Sequence, residues 1–150
     1  MSCILRVSGE NLDLAKVLKV ISFSPYDTHQ KGTPKRRKPK LPHEDSGFKV
    51  EVSDAAISDF PQQCKDAEEF LHRHFVELGR LDKVDEAELD FSYDCRIGTG
   101  LGDKRVYVQN DYIPVGLVKL CGELSIGIAI TQFPPREENE ESEQDAPSNR

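Results

Sequence analysis

The segment from residue 60 to 81 constrains the fold of this chain most. Phe60, Cys64, Ala67, Leu71, Phe75 and Leu78 recur at spacings of three and four, so an α-helix here carries one continuous apolar stripe. Pro61 suits the first turn of such a helix, where no backbone N–H is needed. A stripe of this kind has to be laid on another element, and strand patterns elsewhere in the sequence provide one.

Cys3, Leu5 and Val7 alternate with Ile4, Arg6 and Ser8, which predicts a strand ending at Gly9. Asn11 or Asp13 can then cap a helix with Leu14, Val17, Leu18 and Ile21 on one face. Phe48, Val50 and Val52 read as a second strand. Leu89, Phe91, Tyr93 and Cys95 alternate with Asp90, Ser92, Asp94 and Arg96, giving a strand with one dry and one wet face and so an antiparallel sheet. Gly98 to Asp103 reads as a hairpin loop and Val106 to Val108 as its return strand. Asp111 can cap a short helix carrying Val115, Val118 and Cys121 and ended by Gly122. A last strand, Leu124 to Thr131, has a fully apolar row (Leu124, Ile126, Ile128, Ile130) and a row of small residues (Ser125, Gly127, Ala129, Thr131). The small row fits close packing by a helix or loop, or else a ligand groove or dimer contact.

These patterns predict an α+β fold, a mixed, mainly antiparallel sheet with helices packed on it. A ferredoxin-like or related split β-α-β arrangement is the nearest architecture. Residues 1–133 form one domain, with a basic loop over 31–43, and residues 134–150 are expected to be an acidic disordered tail.

Charge is unevenly distributed. Lys31, Lys35, Arg36, Arg37, Lys38 and Lys40 lie together without an acid, in a chain whose net charge is −7. Pro34, Pro39 and Pro42 forbid a regular helix there and keep the segment extended. The six cations are the candidate binding residues, for an anion or an acidic partner, with Tyr26 near enough in sequence to stack on a base. A solvated loop without a ligand is the competing reading. The acidic remainder disfavours broad nucleic-acid binding by the whole domain and suits a basic protein partner.

No stretch reaches the ~20 apolar residues that span a bilayer, and the N-terminus lacks a charged region ahead of an apolar run, so a cytoplasmic protein is expected. Cys3, Cys64, Cys95 and Cys121 are scattered, with no Cys-x-x-Cys pair, which predicts free thiols, no zinc site and no cofactor. His72 and His74, two positions apart on a helix, point in different directions and read as solvated. His29 and His43 flank the basic loop and could join a phosphate-binding surface. Asp82, Asp85, Glu86, Glu88, Asp90 and Asp94 read as a solvated acidic face, not a glycosidase pair. Gly98-Thr-Gly-Leu-Gly102 lacks the Lys-Ser/Thr ending of a phosphate loop and is followed by a strand pattern. No serine elbow or cysteine with a nearby histidine nominates a nucleophile, so enzymatic activity stays an open question and no catalytic residue is assigned.

The order Ile4-Leu-Arg-Val-Ser-Gly9, Leu12-Asp-Leu and a helix, Pro25, Gln30-Lys-Gly32, then Gly47-Phe48, resembles the bacterial family catalogued as domain of unknown function 4279. Phe70-Leu71, Phe75, the strand Leu89 to Tyr93 and the closing helix and strand continue that order, so the likeness covers roughly residues 3 to 133. Members usually have a tryptophan where this chain has Phe48, and the Pro-Lys-Arg-Arg-Lys-Pro insert is unusually basic. The resemblance implies a small bacterial α+β domain and transfers no catalytic residue. Function is therefore expected to be that of a non-enzymatic binding protein, of the immunity or adaptor kind, recognising a protein partner. The alternatives are a nucleic-acid-associated accessory protein using residues 31–40, or an enzyme of unknown chemistry.

Overall fold

Alternation along the chain becomes the two faces of a sheet. In the computed structural model, which describes residues 2–95, 97 and 108–134, strand β1 (Cys3–Gly9) buries every second residue. Cys3, Leu5 and Val7 face the core, while Ile4, Arg6 and Ser8 face the other side. Among later strands, β5 (Ser46–Ser53) and β6 (Glu86–Asp94) flank β1 antiparallel, so that Leu5 pairs with Val50 on one side and Leu89 on the other. A short strand, β2 (Asp27–His29), adds antiparallel to β5, and β7 (Gly127–Phe133) adds parallel to β6. The order β2-β5-β1-β6-β7 is a mixed, mainly antiparallel sheet, as expected for the α+β class. Both β1 and β2 are antiparallel to β5, which lies between them, and hence parallel to one another.

Helices cover the face bearing Leu5, Phe48, Leu89 and Phe91, all 1% exposed or less. Helix α1 (Leu14–Val20) is capped by Asp13, whose carboxylate accepts from the Lys16 N–H at 3.0 Å. Only Val17 of α1 is buried and Leu18 is exposed, so its apolar face is narrower than the sequence suggested. Helix α2 (Phe60–Arg73) begins at Asp59, with Pro61 in its first turn. Its stripe of Phe60, Cys64, Ala67 and Leu71 is buried as expected, together with Gln63. The helix does not run on to residue 81. It ends at Arg73, His74 adopts φ −108° and ψ 15°, and a separate turn, α3 (Phe75–Leu78), follows. His74 lies three residues after Leu71 and four before Leu78, on the buried stripe, so it is buried where a solvated residue was expected, and His72 is exposed.

Two later expectations are corrected. Helix α4 (Val115–Glu123) is preceded by Pro114, not capped by Asp111, and runs past Gly122. It buries Leu117, Leu120 and Cys121 while Val115 and Val118 are exposed. The segment is apolar on nearly every side, so its sequence did not single out the face. Strand β7 starts at Gly127 because the chain turns at Ser125, which has φ 56°. Ile126 is buried but Ile130 is exposed, so the apolar row is only partly covered.

The loop Gly98 to Asp103, most of its proposed return strand and the acidic tail lie outside the described residues; Val108 is described and is not in a strand. All four cysteines are free, with Cys3, Cys64 and Cys121 buried and Cys95 half-buried. Among the described residues no helix is long and apolar enough to cross a membrane.

Candidate functional site: the basic hairpin and its root

The basic segment is extended, as its prolines require, but it is a paired hairpin and not the plain loop expected over 31–43. After β2 the chain forms β3 (Pro34–Lys35), turns at Arg36 and Arg37, and returns as β4 (Lys38–Pro42) before entering β5. Strands β2 and β5 are thus the inner part of one long hairpin, and β3 and β4 are its outer part, forming a separate two-stranded sheet. A turn at residues 30–33 bends the ascending strand: the Thr33 N–H donates to the Gln30 carbonyl at 3.0 Å, and Gly32 takes φ +84°, which a side chain would strain. Backbone bonds from Gly32 to His43 and from His43 to Thr33, each 2.8 Å, then lock the two sides together. The Lys31 N–H adds a bond to the Ser46 hydroxyl at 3.1 Å.

Further out, Pro34 faces Pro42, and neither can donate a hydrogen bond. The register shifts between Pro34 and Lys35, and every residue of β4 is exposed. The returning strand of the arm is therefore open to solvent along its length. Of the six cations, Lys35 is half-buried and the others are exposed. Lys31 pairs with Glu10 at 2.7 Å; among the described residues the other five form no ion pair. Tyr26 does not join them. It lies before β2, where its N–H bonds Lys49, while the cations lie past the other end of that strand.

At the root of the arm the structure brings together residues that spacing alone did not connect. The rings of His29 and His43 stack with centroids 4.4 Å apart and planes 23° from parallel. His29 Nε2 lies 3.1 Å from Asp45 Oδ1. One ligand atom from each of the three residues falls within 4.8 Å of the others. Position 47 makes room for this group: a Cβ on Gly47, which pairs with His29, would lie 2.8 Å from the His29 Cε1 and 2.5 Å from the Val7 carbonyl oxygen. Partial burial would raise the Asp45 pKa, but hydrogen bonds from His29 and Ser8, with the charge of His29, hold it below the ordinary carboxylate value. Beside the root opens a shallow cleft of about 830 Å³, lined among others by Glu10, Lys31, Lys35, His43 and Asp45.

A second polar cluster looks catalytic in composition and is not so in geometry. Ser22 Oγ and Glu77 Oε2 each lie 3.3 Å from His74 Nδ1, and the Ser22 hydroxyl donates to Glu77 Oε1 at 2.7 Å. A triad needs the serine and the acid on different ring nitrogens, whereas here both meet the same one. Phe23 and Phe70 pack against the ring at 4.9 and 4.7 Å. The cluster ties the end of α1 to α3. On the opposite face of the sheet Asp90 was expected to be solvated but is 8% exposed, held by Arg6 and by the Thr131 hydroxyl at 2.8 Å. Arg6 and Thr131 come from the strands on either side of β6, so the pairing register, not the local sequence, buries the carboxylate. No family model, curated protein or solved structure matches this chain.

Proposed function

We propose that this chain is a non-enzymatic binding protein, of the adaptor or immunity kind, which engages an acidic protein partner through the β3–β4 arm. One observation carries the reading: a hydrogen-bonded hairpin presents Arg36, Arg37, Lys38 and Lys40 exposed to solvent, and among the described residues no acid pairs with them or with Lys35. A preformed arm loses less conformational entropy on binding than a loose loop of the same charge. Opposite signs on arm and body also orient an acidic partner toward the tip and repel it elsewhere.

Phosphate-bearing polymers share the charge of such a partner. The arm suits them less, because residues 31–42 contain no aromatic side chain on which a base could stack, and Tyr26 is at the far end of β2. Binding of labelled polyglutamate and of a single-stranded oligonucleotide, measured by anisotropy over a salt series, separates the two. Polyglutamate should bind at least as tightly as the oligonucleotide, and Arg36→Glu/Arg37→Glu should weaken it about tenfold or more. Equal binding by the parent and the double variant would refute a role for the arm, and a marked preference for the oligonucleotide would transfer the arm to nucleic acid.

A further inference from the structure

The strongest unexplained feature outside the cationic tip is the group at its root. We propose that His29, His43 and Asp45 form a binding site for a divalent transition metal of borderline softness, with zinc as the type. Two imidazoles and one carboxylate are a donor set that suits such ions, whereas calcium and magnesium prefer oxygen ligands throughout. Geometry supports the set. The His29 Nε2 to Asp45 Oδ1 separation of 3.1 Å is already close to the ligand-to-ligand distance of about 3.3 Å in a tetrahedral site with bonds of about 2.0–2.1 Å. The third donor, on His43, lies within 4.8 Å, so closure requires only that its ring unstack and turn.

Backbone positions for that closure are fixed in advance. His43 is hydrogen-bonded to Gly32 and Thr33 across the hairpin, and His29 is held in β2 opposite Gly47, whose missing side chain leaves space for the imidazole. All three residues are half-buried: the side chains of His29 and Asp45 are 19% and 41% exposed, enough for an ion to enter from the cleft. With three protein donors, water can complete the coordination, and two of the donor residues, His43 and Asp45, border the cleft. His29 comes from the ascending side of the hairpin, and His43 and Asp45 from the descending side. A bound ion therefore staples the arm at its root and fixes the direction in which the cations point. The site stands on its own whether or not the arm binds an acidic partner.

The probe is Zn²⁺ added to the full chain, with uptake measured by calorimetry and the histidine imidazole resonances followed by NMR. One equivalent should bind, with His29 and His43 shifting and His72 and His74 left in place. His43→Ala should weaken binding by at least about tenfold, while His72→Ala on the exposed side of α2 should not. The NMR arm uses the unaltered protein, so it stands even if a variant misfolds. No saturable binding, binding unaffected by His43→Ala, or shifts at His72 or His74 in place of His29 and His43 would overturn the site.

Discussion

Replacing Gly47 by alanine tests the packing that sets the site and the sheet together. The new Cβ would lie 2.5 Å from the Val7 carbonyl oxygen and 2.8 Å from His29 Cε1. The His29 ring can swing aside, but the Val7 carbonyl belongs to β1 in the middle of the sheet and can yield only by moving a strand. Overpacking of this kind costs about 1–3 kcal/mol, and the loss of chain freedom in the unfolded state returns about 0.4–1 kcal/mol. A net loss of about 1–2 kcal/mol follows, equivalent to about 2–8 °C in midpoint for a domain of this size. Urea unfolding should show a lower midpoint with an unchanged slope. Adding His29→Ala should recover only part of the loss, since it removes one obstacle and leaves the carbonyl. As a contrast, Gly122→Ala in α4 meets nothing within 4 Å and should stabilise by up to about 1 kcal/mol. Gly47→Ala with parental stability would show that close approach does not set the residue at position 47.

Leu71 is fully buried between α2 and the sheet, so Leu71→Ala should cost about 2–5 kcal/mol in urea unfolding; a loss under about 1 kcal/mol would mean that the cavity collapses freely. Burial pushes the Cys64 and Cys121 thiols up to about 11 and raises that of Cys3 as well, so a thiol reagent should label Cys95 first in the native protein and all four in denaturant. Early native labelling of Cys64 would contradict the packing of α2. Hydrogen bonds from the Ser22 N–H and hydroxyl hold the Glu77 carboxyl below its ordinary 4.5, with His74 adding to them against partial burial. A folded-state value below the unfolded one gives stability that is present above pH 4.5 and lost as pH falls through the folded value, so Glu77→Gln should flatten that acid limb; an unchanged limb would remove Glu77 from it.

Regular periodicity made β1, β5, β6 and the stripe of α2 legible, because each presents one dry face whose repeat differs from its surroundings. Where an element is apolar on several sides, as in α4, pattern alone could not choose the buried face. Prolines correctly excluded a helix at the arm but hid its pairing, for a different reason. They rule out helix and weaken a ladder, but an outer hairpin whose pairing is anchored at Gly32, Thr33 and His43 tolerates them. The six cations were legible as one continuous basic segment, whereas the His29, His43 and Asp45 group was only half visible. Its members are 14 and 2 residues apart in sequence and no short metal motif joins them; only the return of the hairpin superposes position 29 on positions 43 and 45.

The same hairpin resolves a conflict built into the composition. A flexible cationic segment on an acidic domain should collapse onto its own body, and among the described residues one such ion pair is formed, Lys31 with Glu10 at the root. Beyond the root, collapse would require the ladder bonds between Gly32, Thr33 and His43 to break, while each exposed ion pair gained would contribute only about 0–1 kcal/mol. The backbone pairing therefore wins and keeps the tip available to another molecule. An exposed hairpin also invites a second strand to pair with its edge, but Pro34, Pro39 and Pro42 remove donors along it and the like charges repel a second copy. Under the proposed function, prolines and cations together leave side-chain contact, not strand addition, as the way a partner would meet this arm.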